Sequence, residues 1–260
     1  MSRPLSHKIL HGLEEPIFDS LPQGVIANFD RPRSENALLW NIFYPRSSPH
    51  LKWRRLAALR PEWGTTLDLA REIDEDLTPY FWGYHISGEK LEVLDQVLAE
   101  VDGPGPKTEI DLLLRGRSKL IVVEAKNTSA LGRCSRYQAQ RCPEIQLNEG
   151  GEYDPCRYWE SGAGQMNAEL DFGSRPAPGD SSPACNRHYQ LARTLLVGRT
   201  LARALHLDLH IWLLLPRRSW RGFEKTWLDF ARRVRDETLW RRMRVLAWEE
   251  LETYSALTSP

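Results

Sequence analysis

The sequence predicts an α/β fold of the α+β type, in which helices flank a mixed central sheet. The segment TEIDLLLRGRSKLIVVEAKN (108–127) has two apolar runs around a glycine-containing break, a pattern typical of a β-hairpin. The segment 187–205 then carries apolar residues at steps of three and four, as one face of a helix does, and LDLHIWLLL (207–215) fits a buried strand. Helices, a hairpin, a helix and a further strand therefore indicate a mixed sheet.

The 260 residues are 41% hydrophobic and 27% charged, which indicates a globular protein with a sizeable core. The longest uncharged apolar stretch, Leu209 to Pro216, is far shorter than the roughly 20 residues of a membrane-spanning helix. The first ten residues lack the apolar segment of a secretory signal. We therefore expect a cytoplasmic protein with no membrane contact.

We expect residues 1–260 to form one domain. Residues 1–90 would form a helical N-terminal extension, and 95–127 together with 186–215 would form the core. A cysteine-containing insert, 128–185, would lie between the two pieces of the core. Residues 216–260 would form a basic helix and a terminal strand.

The N-terminal half contains three predicted elements. A helix over 34–43 would begin at the N-cap Ser34, and a second over 66–77 would begin at a threonine and end before Pro79. A strand over 97–103 and a helix over 91–100 both fit the segment before the hairpin, and the sequence does not decide between them.

Net charge is zero, but it is unevenly distributed. Residues 62–111 hold 13 acidic and 3 basic side chains, whereas 187–244 hold 14 basic and 5 acidic ones. An amphipathic helix over 220–235 would present arginines to solvent, and a last strand is predicted over 244–248. A basic C-terminal third suits a polyanionic partner, although an ordinary solvated surface would also explain it.

Three ionisable residues interrupt the apolar hairpin. Asp111 lies in an otherwise leucine-rich strand, while Glu124 and Lys126 end the next strand two residues apart and so share one face of the sheet. Two carboxylates with the Ala125 carbonyl would suit Mg²⁺ or Mn²⁺, and the lysine could orient water or stabilise a phosphate. A structural Asp–Lys or Glu–Lys ion pair at the strand end is the simpler alternative.

EID followed by VEAK resembles the signature of the PD-(D/E)XK restriction-endonuclease-like nucleases. The resemblance covers roughly residues 95–215, and SENALLWNIFYP (34–45) is similar to the first helix of an uncharacterised branch of these proteins. It implies an αβββαβ core and metal-dependent phosphodiester hydrolysis, with Asp111 and Glu124 as metal ligands and Lys126 as the catalytic lysine. Ile110 stands where the signature has proline, a position that varies in this superfamily.

The resemblance also implies supporting residues. A glutamate on the first core helix would be Glu35 or Glu72, and Glu109 could act as an outer ligand. Arg187 and Gln190 occupy the region where this fold often places a contact to the scissile phosphate. Independently of the resemblance, the predicted basic helix would present Arg221, Arg232 and Arg235 to phosphates.

All four cysteines of the chain lie in the insert, at Cys134, Cys142, Cys156 and Cys185. Such clustering in an intracellular protein indicates a zinc ion or a four-iron iron–sulfur cluster, with His188 as a substitute ligand. The spacings of 7, 13 and 28 residues match no standard metal motif, so four independent buried thiols are an equal alternative.

Two functions follow from these observations. The first is a Mg²⁺-dependent nuclease acting on DNA, with RNA not excluded and an endonuclease favoured over an exonuclease. The second is a non-catalytic nucleic-acid-binding or interaction module on the same fold. The presence of Asp111, Glu124 and Lys126 together favours the enzyme. Oligomeric state and sequence specificity are left open.

Overall fold

The structure, a computed structural model, describes residues 11–44, 51–65, 73–146, 155–160, 162 and 164–251. Eleven helices lie within these residues: α1 (Ile17–Ser20), α2 (Gln23–Phe29), α3 (Glu35–Phe43), α4 (Trp53–Ala57), α5 (Leu94–Asp102), α6 (Ser135–Gln138), α7 (Met166–Glu169), α8 (Ala184–Arg187), α9 (Tyr189–Ala204), α10 (Trp220–Ala231) and α11 (Glu237–Arg241). The strands described are β1 (Leu51–Lys52), β2 (Trp63–Gly64), β3 (Asp76–Phe81), β4 (Leu112–Arg115), β5 (Lys119–Ala125), β6 (Asp208–Leu215) and β7 (Met243–Ala247). Among the described residues, no helix has the length and apolar character needed to cross a membrane.

These strands form one mixed sheet in the order β1-β3-β4-β5-β6-β7-β2. The strands from β3 to β5 are antiparallel neighbours, whereas β6 is parallel to both β5 and β7. In chain order α3, β3, β4, β5, α9 and β6 reproduce the αβββαβ core. The predicted mixed sheet and restriction-endonuclease-like fold are therefore confirmed.

Apolar side chains pack on both faces of the sheet. Leu113 and Val122 face a core built with α5, α9 and α10, while Leu112 and Val123 face a second core built with α1 to α4. This two-sided burial explains why both hairpin strands are continuously apolar. At Gly198 on α9, a Cβ atom would lie 3.0 Å from Val122 Cγ2, so the glycine lets the helix approach β5 closely.

The helix predicted over 34–43 is confirmed as α3, and Ser34 Oγ accepts a hydrogen bond of 3.0 Å from Ala37 N. The prediction of a helix over 66–77 is wrong for the part that the structure describes, because residues 73–75 are non-helical and β3 begins at Asp76. Leu77, Pro79 and Phe81 are buried at a period of two, which the acidic residues before them concealed. The remainder of that predicted helix, including Glu72, lies outside the described residues.

The segment before the hairpin is helix α5, so the helical alternative is correct and the strand over 97–103 is wrong. Its buried residues Leu94, Val97, Leu98 and Val101 follow helical spacing. The first strand of the core meander is β3 instead. In the C-terminal part, α10 ends at Ala231 rather than at residue 235, and the terminal strand begins one residue earlier than predicted.

Candidate active site

The central hairpin brings Asp111 and Glu124 to the same position on neighbouring strands. Leu112 pairs with Val123, so Asp111, directly before β4, lies opposite Glu124 near the end of β5. Glu124 and Lys126 alternate with Ala125 and share the sheet face on which α9 packs. The antiparallel register and the two-residue period thus place two acids and a lysine together.

The three side chains are held by short contacts. Lys126 Nζ lies 2.7 Å from Glu124 Oε1, and Asp111 Oδ2 accepts a hydrogen bond of 2.7 Å from Ala125 N. Glu124 is 1% exposed and Lys126 is 6% exposed. The indole N–H of Trp248 donates to Lys126 O at 2.8 Å, which fixes the backbone just beyond β5.

Helix α9 supplies two further contacts to Glu124. Gln190 Nε2 donates to Glu124 Oε1, and Thr194 Oγ1 donates to Glu124 Oε2 at 3.1 Å. The structure places Gln190 against the Glu124 carboxylate, and its predicted contact with a phosphate stays a prediction. Sequence reasoning missed Thr194, and the available signal was its spacing of four residues from Gln190 on a largely apolar helix.

Charge on the carboxyl groups of the centre is disfavoured. Burial and the neighbouring Glu124 carboxylate raise the pKa of Asp111 well above its ordinary value. Burial and Glu124 also raise the pKa of Glu109. Burial alone would lower the pKa of Lys126, but Glu124 and Asp111 more than offset that effect and raise it, so the lysine stays protonated. One ammonium group therefore faces three carboxyl groups.

The donor set suits a hard divalent cation. Mg²⁺ in proteins is commonly held by one or two carboxylates and completes its coordination with water. Among the described residues, no three His, Cys, Asp or Glu side chains are arranged to hold a metal ion. An ion between Asp111 and Glu124 would therefore draw its other ligands from backbone oxygen, water or substrate.

Glu35, at the start of α3, fixes the chain that follows Lys126. Its Oε1 accepts hydrogen bonds from the backbone N–H groups of Asn127 at 2.7 Å and of Thr128 and Ser129 at 3.2 Å each. The Ser129 hydroxyl adds a fourth at 2.8 Å. Burial would raise the pKa of Glu35, but these hydrogen bonds lower it overall. The structure thus places Glu35 beside the centre, while Glu72 lies outside the described residues.

Replacing Glu35 by alanine should lower the free energy of unfolding at pH 7 by about 1–2 kcal/mol, since a charged acceptor of several backbone donors is lost. Because the folded-state pKa of Glu35 is lowered, its stabilisation is present above the ordinary glutamate pKa and disappears as pH falls through the lowered value. Urea unfolding of both proteins from pH 7 to pH 3 measures this convergence. The exposed Glu14→Ala is the control, and an equal loss in both variants would refute the role of Glu35.

A groove begins close to this centre along the chain: Thr128, two residues after Lys126, lines it, whereas Asp111, Glu124 and Lys126 do not. It has a volume of about 1000 Å³ and lies between the loop 128–133 and helix α10. Its lining includes two acids, Glu224 and Asp229, and five cations: Arg133, Arg187, Arg221, Lys225 and Arg232. The structure thus brings three of the predicted phosphate contacts together, and it adds Arg133 and Lys225, which sequence reasoning did not single out.

Arg235 differs from the other predicted phosphate contacts. Its guanidinium donates to Asn167 O at 3.0 Å and lies 3.4 Å from Asp171 Oδ1. It does not line the groove. Helix α10 ends four residues before it, so the helical spacing that placed it with Arg221 and Arg232 does not hold there.

The four cysteines also converge. All four are free thiols and line one small cavity of about 20 Å³, although no three of them stand in a metal-holding arrangement. His188, the predicted substitute ligand, does not line this cavity. Its Nε2 lies 2.7 Å from Asp229 Oδ2, and its ring stacks on Phe172.

A mixed sheet with an αβββαβ core and two acids and a lysine at its centre defines a restriction-endonuclease-like protein. The comparison with known families is consistent with that class. A family described as Restriction Endonuclease associating with ARP (REase-ARP) matches residues 27–255, and the chain belongs to this family. The comparisons with curated proteins and with solved structures find no significant match.

Proposed function

We propose that the protein is a divalent-metal-dependent nuclease that hydrolyses phosphodiester bonds in DNA. The observation that carries this proposal is the meeting of Asp111, Glu124 and Lys126 on one face of the central hairpin. A structural ion pair would need only the glutamate and the lysine. A second carboxylate beside Glu124 costs free energy in its charged form unless a further cation is bound, and this supports a metal site.

Asp111 and Glu124 would hold Mg²⁺ or Mn²⁺. The bound ion would supply positive charge to the scissile phosphate and lower the pKa of a nearby water. Ala125 N orients the Asp111 carboxylate, and Gln190 and Thr194 orient that of Glu124. These contacts fix the ligands before substrate arrives, so little reorganisation is needed.

Lys126 would stabilise the negative charge that develops on the phosphate. Its raised pKa keeps the ammonium protonated, so it donates hydrogen bonds and does not remove a proton from water. In hydrolysis the water oxygen bonds to phosphorus and gives up a proton, while the bond to one deoxyribose oxygen breaks and that leaving oxygen takes up a proton. The ammonium of Lys126 can stabilise the added charge on the phosphate as this exchange proceeds.

The groove supports a polyanionic substrate. Its lining contains five basic and two acidic side chains, and the loop 128–133 on one wall begins two residues after Lys126. Backbone phosphates on either side of a cut could therefore be neutralised along α10.

Purified protein incubated with Mg²⁺ or Mn²⁺ should nick or linearise supercoiled circular DNA. An excess of EDTA should stop the reaction. Linear duplex, single-stranded DNA and RNA of matched length then rank the substrates. A protein that cuts only linear DNA would be an exonuclease, and one that cuts none of these would contradict the proposal.

Replacing Arg221 or Lys225 by alanine should weaken DNA binding and reduce the slope of log K against log salt concentration by about one per side chain. The reason is that a variant with one phosphate contact fewer releases one counterion fewer when it binds DNA. Fluorescence anisotropy between 50 and 200 mM salt measures the slope, a range suited to this effect. Arg235→Ala is the matched control because Arg235 lies outside the groove, and a slope change equal to that of Arg221→Ala would place DNA elsewhere.

A further inference from the structure

Four separate segments bring the cysteines of the insert together. Cys134 directly precedes α6, and Cys142 lies just beyond the end of that helix. Cys156 precedes a single turn of 3₁₀ helix (Arg157–Trp159), and Cys185 lies within α8. Up to 51 residues separate them in sequence, yet all four line the same cavity. Four unrelated buried thiols would have no reason to share one cavity.

The backbone around these thiols is arranged to stabilise negative sulfur. Nearby backbone N–H groups lower the pKa of two thiols: those of Glu144 and Ile145 act on Cys142, and that of Tyr158 acts on Cys156. Burial nevertheless raises the pKa of Cys156 to about 12 and that of Cys185 to about 11, and the neighbouring thiols add to these increases. A cation in the cavity would offset the free-energy cost of deprotonating these buried thiols, because cysteines bind a metal ion as thiolates.

The insert is built from short elements: its described helical turns have three or four residues, and the structure describes no strand of the sheet between β5 and β6. Trp159, Met166 and Leu170 pack into the core with α9, whereas α6, between Cys134 and Cys142, buries none of its residues. The insert also contacts the candidate active site, because Gly132 N donates to Gln190 Oε1 at 2.6 Å and Gln190 in turn contacts Glu124. The backbone N–H of Cys134 also donates a hydrogen bond of 3.2 Å to Asn186 Oδ1. Order in the insert therefore bears on the position of Gln190.

We propose that Cys134, Cys142, Cys156 and Cys185 bind one structural Zn²⁺ ion that fixes the insert against α9. A tetrahedral set of four thiolates is a common structural zinc site. A cavity of about 20 Å³ has room for one water-sized particle, which favours a single ion over an eight-atom iron–sulfur cubane. Because the sulfurs do not yet stand in a metal-holding arrangement, binding draws them inward and releases the four thiol protons.

Elemental analysis of the full-length protein, purified without added metal, tests this proposal. We expect about one zinc and no stoichiometric iron per chain, and four free thiols after denaturation in chelator. Removing zinc with a chelator should expose the insert to protease, and adding Zn²⁺ alone should restore protection and release protons. Zinc well below stoichiometry, several irons per chain, or disulfides in place of free thiols would each overturn the proposal.

Variants separate this site from the nuclease centre. Cys142→Ser and Cys185→Ser should each lose at least half of the zinc, whereas Met166→Leu, a volume-conserving change in the cavity wall, should keep it. Asp111→Asn should also keep full zinc, so the zinc site and the proposed nuclease function can fail independently. Full zinc content in Cys142→Ser and Cys185→Ser would contradict the assignment. Should these variants fail to fold, the zinc content of the wild type still decides.

Discussion

In the absence of divalent ions, Asp111→Asn protein is expected to unfold at a higher temperature than the wild type. Burial and Glu124 both oppose the charge on Asp111, so an isosteric neutral side chain removes an unfavourable interaction of about 1–3 kcal/mol. The amide oxygen can still accept the hydrogen bond from Ala125 N. A gain of several degrees is expected for a protein of this size.

The pH dependence follows from the raised pKa. A carboxyl group whose folded-state pKa is raised costs stability above that pKa and ceases to cost it once protonated at lower pH. The advantage of Asp111→Asn should therefore be largest at pH 8 and shrink as pH falls through the raised value. Thermal unfolding in EDTA at several pH values measures it, with the exposed Asp95→Asn as control. Lower stability of Asp111→Asn in EDTA at pH 8 would show that Asp111 is a structural carboxylate.

Mg²⁺ or Mn²⁺ should reverse this order. An ion bound between Asp111 and Glu124 stabilises the wild type in proportion to its occupancy, whereas the variant has lost one ligand. The unfolding temperature of the wild type should rise with metal concentration, and that of Asp111→Asn should rise much less. Equal responses in the two proteins would place the ion elsewhere.

Lys126→Met is expected to reduce cleavage by about 10²–10³-fold, because a protonated donor to the phosphate is lost. It should also lower the free energy of unfolding by about 3–5 kcal/mol, since Glu124 is left buried without its cation. Binding of Mg²⁺ should not weaken, because the carboxylates remain. Single-turnover cleavage by the folded fraction, with calorimetric metal titration, separates these effects.

Lys119→Met is the matched control. Lys119 begins the same strand, is also buried, and lies 3.3 Å from Glu75 Oε1, at the opposite end of β5 from the candidate active site. It should destabilise the protein while leaving cleavage per folded molecule unchanged. Equal losses of cleavage in the two variants would mean that Lys126 acts only through stability.

The parts of the fold that could be predicted are those in which the local sequence pattern matches the burial that the folded protein imposes. The hairpin strands are apolar throughout because both faces of the sheet are covered, and α3 begins at a serine whose hydroxyl caps it. Strand β3 was missed because its Leu77, Pro79 and Phe81 follow an acidic run that suits an amphipathic helix. Pro79 is accommodated there because, among the described pairings, β1 reaches β3 only at Asp76 and Leu77.

Only the residues of the candidate active site that lie close together in the sequence could be placed side by side from the sequence. Asp111, Glu124 and Lys126 are linked by one hairpin, whose register follows from its short turn. Contacts made across long sequence separations could not be predicted, such as those of Glu35 with residues 127–129. Convergence of the cysteines depends likewise on how loops pack, which no spacing pattern encodes.

The most direct test of the central claim is the rate at which supercoiled circular DNA is cut by the wild type and by Asp111→Asn, each titrated with Mn²⁺. The wild type should cut at a rate that rises with Mn²⁺ and falls to background in EDTA. Asp111→Asn, folded and at least as stable without metal, should be slower by at least about 10³-fold at every concentration, since it loses several kcal/mol of transition-state stabilisation. Cleavage by Asp111→Asn at the wild-type rate, or cleavage by the wild type in EDTA, would contradict the account.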